Sequence, residues 1–206
     1  MNYDEQYYIL MDKADDLYPN LVADTATASR DYDFDPLPPF SMPVVFKNAT
    51  AFEHPEWKDK FHTYPFLKTL SSFIVTKDIY LNLRDLIDLK KMKFHPAVYI
   101  SDDDNMYENY WYLNIYSDFD CWDREKSKYD SFLGDDSAPE IEKYVLNSDI
   151  LNEVKEEDRL IFRMGWDLGS NLFVHQRIID YFESANITGY RAFKVSEYEF
   201  GMEFRS

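Results

Sequence analysis

Apolar residues fall in short runs, set apart by stretches rich in Asp, Asn, Pro and Gly. Runs of aromatic and β-branched residues bounded this way predict strands. Tyr7-Tyr8-Ile9-Leu10-Met11 opens the series, and Val44-Val45-Phe46, Phe73-Ile74-Val75-Thr76 and Ala97-Val98-Tyr99-Ile100 continue it. The longest run is Tyr110-Trp111-Tyr112-Leu113-Asn114-Ile115-Tyr116, in which only Asn114 interrupts the apolar sequence. With no solvated face of its own, it predicts a central strand covered on both sides. Ser101-Asp102-Asp103-Asp104-Asn105 precedes it and reads as a hairpin connection, so these two strands should pair antiparallel.

Two stretches carry the helical period. Over residues 78 to about 91, Ile79, Leu83, Leu86 and Ile87 form one apolar stripe, with Asp78 as N-cap and Arg84, Lys90 and Lys91 towards the C-terminal end. Over residues 176–185, Ile178, Ile179 and Phe182 face inward, and Asn186 suits the left-handed closing position. Ser148 is expected to cap a single helical turn through Leu151. Further strands are expected over 142–146, 159–163, 172–174 and 190–195. Residues 12–35 read as a loop with at most a short strand at Leu21-Val22. Residues 35–43 hold Pro36, Pro38, Pro39 and Pro43 and should cross the surface in extended form. Residues 129–140 read as a mobile polar loop. About eight strands to three helices predict a mixed α+β fold, a largely antiparallel sheet with helices packed on it.

Composition narrows the class. The chain has 206 residues, 45% hydrophobic and 18% aromatic, enough to bury a core. One cysteine excludes an intramolecular disulfide framework and fits a reducing compartment. No apolar run approaches the ~20 residues of a membrane span, and the acidic N-terminus lacks a leader pattern. A soluble, cytoplasmic protein is expected. Thirty-nine acidic against 22 basic residues leave a net charge of −17. Such a surface repels phosphate backbones and anionic lipid, and attracts basic proteins.

The candidate chemistry follows the long apolar run. Asp118, Asp120, Asp123, Arg124 and Glu125 crowd around Phe119, Cys121 and Trp122. One reading makes Asp118, Asp120 and Asp123 the carboxylates of a metal-dependent hydrolase. The other, preferred, makes the group an ion-pair knot with Arg124, Lys126 and Lys128 that fixes the end of the central strand. If that knot is buried, Arg124→Ala should cost roughly 2–4 kcal/mol. No nucleophile elbow, glycine-rich phosphate loop or His-Glu-x-x-His occurs. Glu53, His54, Glu56 and His62 match no zinc spacing, and the three adjacent Asp residues lack the glycine and glutamate of a calcium loop. No metal, cofactor or catalytic residue is assigned. A third reading, an acidic mimic of nucleic acid, would need carboxylates spaced like phosphates.

The order Tyr112-Leu113-Asn114, then Asp120-Cys121-Trp122-Asp123-Arg124-Glu125-Lys126-Ser127, resembles the hallmark of immunity protein family 11 of bacterial polymorphic-toxin systems. Trp122 stands where that family has leucine. The run from Phe173-Val174 through a helix to Ile187-Thr188-Gly189 resembles the family's end, so the similarity covers residues 72–195. The resemblance implies one immunity-type domain over 1–206, with residues 1–50 its N-terminal strands and acidic proline-rich loop. It implies a non-enzymatic antidote that binds a cognate toxin, expected to be basic, with no nucleic-acid or membrane partner. Trp111, Asn114, Asp120, Cys121, Asp123, Arg124 and Glu125 are then structural. The acidic loops are the expected contact surface: Asp102, Asp103, Asp104, Tyr107 and Glu108 on one, Asp135 and Asp136 beside Phe132 on another.

Overall fold

Strand β1 (Tyr7–Asp12) is followed by β2 (Leu21–Ala23), a four-residue helix α1 (Thr25–Ala28), β3 (Val44–Asn48), β4 (Phe66–Lys68) and β5 (Phe73–Thr76). Then come α2 (Lys77–Leu86), β6 (Met92–Ile100), β7 (Met106–Ile115), β8 (Lys128–Asp130), β9 (Glu140–Lys143) and α3 (Ser148–Asn152). The chain closes with β10 (Ile161–Arg163), β11 (Leu172–His175), α4 (Gln176–Ser184) and β12 (Tyr190–Lys194). These elements come from a computed structural model that describes residues 2–13, 18–49, 64–87, 89–132, 134 and 136–204. They group into two units, one of residues 12–117 with 187–190, the other of residues 1–11, 118–186 and 191–206. The class is the expected one, α+β with largely antiparallel sheets.

The unit containing residues 12–117 is built on a six-stranded sheet of order β2-β3-β6-β7-β5-β4, in which only β3 and β6 run parallel. The long apolar run forms β7, and it is central, between β6 and β5. Tyr110 and Tyr112 project to one face, where they join a core cluster with Val44, Phe46, Leu67 and Ile74. Leu113 and Ile115 are buried on the opposite face. On that face Trp111 stacks on Tyr80 of α2, ring centroids 4.1 Å apart and 13° from parallel. Aromatic pairs of this kind add about 0.5–1.5 kcal/mol beyond the area they bury.

Asn114 is fully buried and satisfied. Its Oδ1 accepts from the Leu37 N–H at 3.0 Å, and its Nδ2 donates to the carbonyls of Tyr32 and Asp35 at 2.8 and 3.2 Å. Tyr112 adds a second tether by donating to Asp33 Oδ1 at 2.8 Å. The acidic, proline-rich loop is therefore sewn to the middle of the sheet, and Leu37 sits in the core rather than on the surface.

The other unit carries a four-stranded antiparallel sheet, β10-β11-β1-β12, and a separate β8–β9 ribbon. Its core includes Tyr7, Ile9, Cys121, Trp122, Tyr144, Phe162, Phe173 and Tyr198. The buried Arg159 guanidinium lies over the Tyr3 ring, 4.8 Å from its centroid, and donates to the Tyr7 hydroxyl. His175 caps α4, its Nδ1 accepting from the Arg177 N–H at 3.2 Å.

Several expectations need correction. Helix α2 ends at Leu86, because the chain up to Ile100 pairs with β7 from Met92 onward and takes residues 92–96 into the strand. Thr76 occupies the N-cap in extended geometry, and Asp78 lies in the first turn, where its charge suits the helix dipole. Residues 12–35 include α1, capped by Asp24, whose side chain accepts from the Thr27 N–H. Strand β4 escaped the pattern because it is only three residues long. Residues 129 and 130 belong to strand β8 instead of the loop expected over 129–140, and Asn147, not Ser148, caps α3.

Candidate functional site

The hallmark residues after β7 run through the second unit as a chain of single bridges. Phe119 N–H donates to Arg163 O at 2.9 Å, and Gly165 N–H returns to Phe119 O at 3.1 Å. Asn147 N–H reaches Cys121 O, and Asp123 N–H reaches Val145 O, both at 2.7 Å. These bonds place Cys121 and Trp122 in the core and leave the charges outside. Burial pushes the Cys121 thiol well above its ordinary value, with Asp120 adding to the shift. It stays protonated at neutral pH and is a packing group, not a nucleophile.

Each of the three Asp carboxylates has its own cation. Asp118 pairs with the buried Arg163. Asp120 binds Arg124 through both oxygens at 2.6 Å, and the guanidinium lies 4.1 Å from the Trp122 ring centroid. Asp123 accepts from the backbone N–H groups of Glu125 and Lys126 at 3.0 and 3.2 Å and from Lys126 Nζ at 2.7 Å. The Lys126 bond is the main cause of a lowered Asp123 pKa. Glu125 is exposed. Lys128 does not join the group, since it pairs with Glu142 on the β8–β9 ribbon. The knot exists, but its outer pairs lie at the surface, with the Arg124 and Asp120 side chains 38% and 48% exposed. Among the described residues, no group of three or more His, Cys, Asp or Glu is placed to hold a metal. The candidates at 53–62 lie outside the described residues.

The expected contact residues divide between the two units. Asp103, Asp104 and Glu108 are exposed at the β6–β7 tip, and Asp102 is half-buried, accepting from Asn48 Nδ2 at 2.9 Å. Asp104 takes the left-handed conformation that closes the turn, at φ 60°. Tyr107 is half-buried against Tyr99. Asp136 and Phe132 are exposed on the loop of the other unit, and Asp135 lies outside the described residues.

A model of the immunity protein family Imm11 matches residues 19–197. The chain belongs to that family. The match begins well before residue 72, where the sequence resemblance became specific, so it includes the acidic proline-rich loop. No curated protein matches the chain. Among the described residues of this Imm11 protein, no helix is long and apolar enough to cross a membrane.

One feature escaped the sequence reading. A cleft of about 370 Å³ opens beside β6 and β7, lined by Tyr80, Phe94, His95 and Trp111, with Pro39 and Phe40 at its rim. Phe40 is fully exposed, in a left-handed backbone with φ 64°, and Met42 is also exposed. The available signal was two large apolar residues next to prolines in a polar stretch. Periodicity cannot weigh isolated positions of that kind.

Proposed function

We propose that this protein is a cytoplasmic immunity protein that binds a cognate bacterial toxin and holds it inactive, with residues 1–206 serving as one immunity-type domain. The observation that carries this reading is the family match across residues 19–197. The arrangement of the hallmark supports a binding role over a catalytic one. Its Asp118, Asp120 and Asp123 carboxylates are engaged one by one with Arg163, Arg124 and Lys126, and its thiol is buried. The net charge of −17 and the exposed Asp103, Asp104 and Glu108 support a basic partner, steered in by long-range attraction.

The test is co-expression with the toxin domain encoded beside its gene. Rescue of growth and a complex that survives gel filtration are expected. A toxin that kills equally with and without the protein, with no complex formed, would refute the proposal. Turnover of nucleic-acid, ester or peptide substrates, lost in a folded Asp123→Asn variant, would replace it with the hydrolase reading.

A further inference from the structure

The cleft beside β6 has three features that a plain surface depression lacks. Its floor is rigid, because Trp111 is stacked on Tyr80, and Tyr80 is packed edge-on against Phe94 at 5.0 Å. Its rim presents Phe40 in the left-handed region, which bulky residues seldom adopt. The backbone leading from Phe40 is held from outside: Arg30 donates to Met42 O at 2.6 Å and to Pro43 O at 2.9 Å. Leu37, on the other side, is anchored to Asn114. Phe40 is thus preorganised without packing of its own, as an interface anchor should be.

The third feature is a vacant hydrogen-bonding position. His95 lines the cleft, is only 7% exposed, and its Nε2 has no hydrogen-bond partner. The Leu37 backbone carbonyl favours a proton on the imidazole, and a neutral ring that carries it on Nδ1 leaves Nε2 with a lone pair to accept. Burial, then Lys93 and Arg30, lower the pKa of His95 and keep it neutral. An unsatisfied buried acceptor costs stability unless a ligand supplies the donor. Among the described residues, the lining contains Lys93 and no carboxylate, on a protein whose net charge is −17. The site is a locally basic, apolar pocket in an acidic surface.

We propose that this cleft is the docking groove for an extended segment of the toxin. The segment lays an apolar side chain on the Tyr80–Trp111 floor, donates a backbone N–H to His95 Nε2 and turns a carboxylate towards Lys93. Phe40 inserts into the toxin in return. The inference rests on the immunity reading. Apolar surface continues past the cleft to Phe40 and Met42, which a small ligand would leave uncovered, whereas a protein surface covers both. The acidic tip and the groove then divide the work, the tip governing association and the groove governing dissociation.

The experiment measures toxin binding by wild type, Phe40→Asp, Lys93→Glu and, as an exposed control away from the cleft, Leu70→Asp. Asp accepts the left-handed backbone better than Phe, so Phe40→Asp should fold normally. Phe40→Asp and Lys93→Glu should each weaken binding by about 30-fold, through faster dissociation. Leu70→Asp should bind like wild type. Wild-type affinity in both cleft variants overturns the groove, while leaving the immunity reading intact. A random-peptide phage library selected on wild type provides an arm that needs no toxin. It should yield peptides with an apolar residue near an acidic one, lost on either cleft variant. If wild type fails to bind the toxin but selects such peptides, the immunity reading fails and the toxin segment falls with it as the occupant, although the cleft does bind peptide. If selection enriches nothing over the variants, the groove is wrong.

Discussion

Asn114 Oδ1 accepts the Leu37 N–H at 3.0 Å, joining the C-terminal end of β7 to a loop 77 positions earlier in the chain. The one polar residue in the apolar hallmark strand is therefore the anchor of the proline-rich loop. Asn114→Leu keeps the branching at Cγ but strands the Leu37 N–H and removes the donor to Tyr32 and Asp35. A loss of about 2–4 kcal/mol is expected, read as a lowered denaturant midpoint. Amide exchange should also accelerate at Leu37. An unchanged midpoint would show that the loop is held elsewhere.

The knot should be unequal in its parts. Arg124→Ala removes a surface pair and a contact with Trp122, and about 1 kcal/mol is expected. That is less than a buried knot would give. Asp118→Ala takes away a partner of Arg163, whose side chain is 2% exposed, and about 2 kcal/mol is expected. Chemical denaturation of the two variants side by side checks the order. Equal losses would contradict it.

Gly165 sits where its neighbour allows no side chain. A Cβ there would meet Asp120 N at 2.8 Å and Asp120 Cβ at 2.9 Å. Gly165→Ala should displace the hallmark backbone and cost about 1–3 kcal/mol, from overpacking. Thermal melting measures it, and a tolerated alanine would mean that the Phe119–Gly165 bridge gives way easily.

Acid should weaken the fold through two histidines. His95 is lowered by burial and by Lys93 and Arg30. His175 is lowered by burial, with Arg159 and Arg177 acting in the same direction and Glu156 and Asp180 against it. A depressed folded pKa stabilises the fold above the unfolded value of about 6.5, and that contribution is lost as pH falls through the folded values. Melting temperature should therefore drop from pH 7.5 to pH 5. The drop should be shallower in the double variant His95→Gln, His175→Gln. Parallel curves would place the acid sensitivity on other groups.

The hairpin tip should act on rates. Changing Asp102, Asp103 and Asp104 together to Asn should slow association with a basic toxin and flatten its salt dependence, with dissociation nearly unchanged. Stopped-flow binding at low and high salt decides this, and identical association rates for both proteins would make the tip a bystander.

The elements legible in the sequence are those whose signal is local. The apolar run 110–116 needs no information beyond itself to read as a covered strand, and the i, i+4 stripe of Ile79 and Leu83 specifies a helix face wherever the helix lands. The hallmark likewise pointed to the family. What the tertiary structure decided was partnership and exposure. Lys128 is close to Asp123 in sequence but pairs with Glu142, because the β8–β9 ribbon brings that carboxylate across. Asn114 looked like an interruption until the loop that it holds was in place. Lys90 and Lys91 left the helix because the pairing of β6 with β7 outweighed a helical pattern. Strand and helix preferences follow from a residue's own backbone and its near neighbours. Which charge meets which, and whether Phe40 ends inside or out, depends on segments brought together only when the sheet closes.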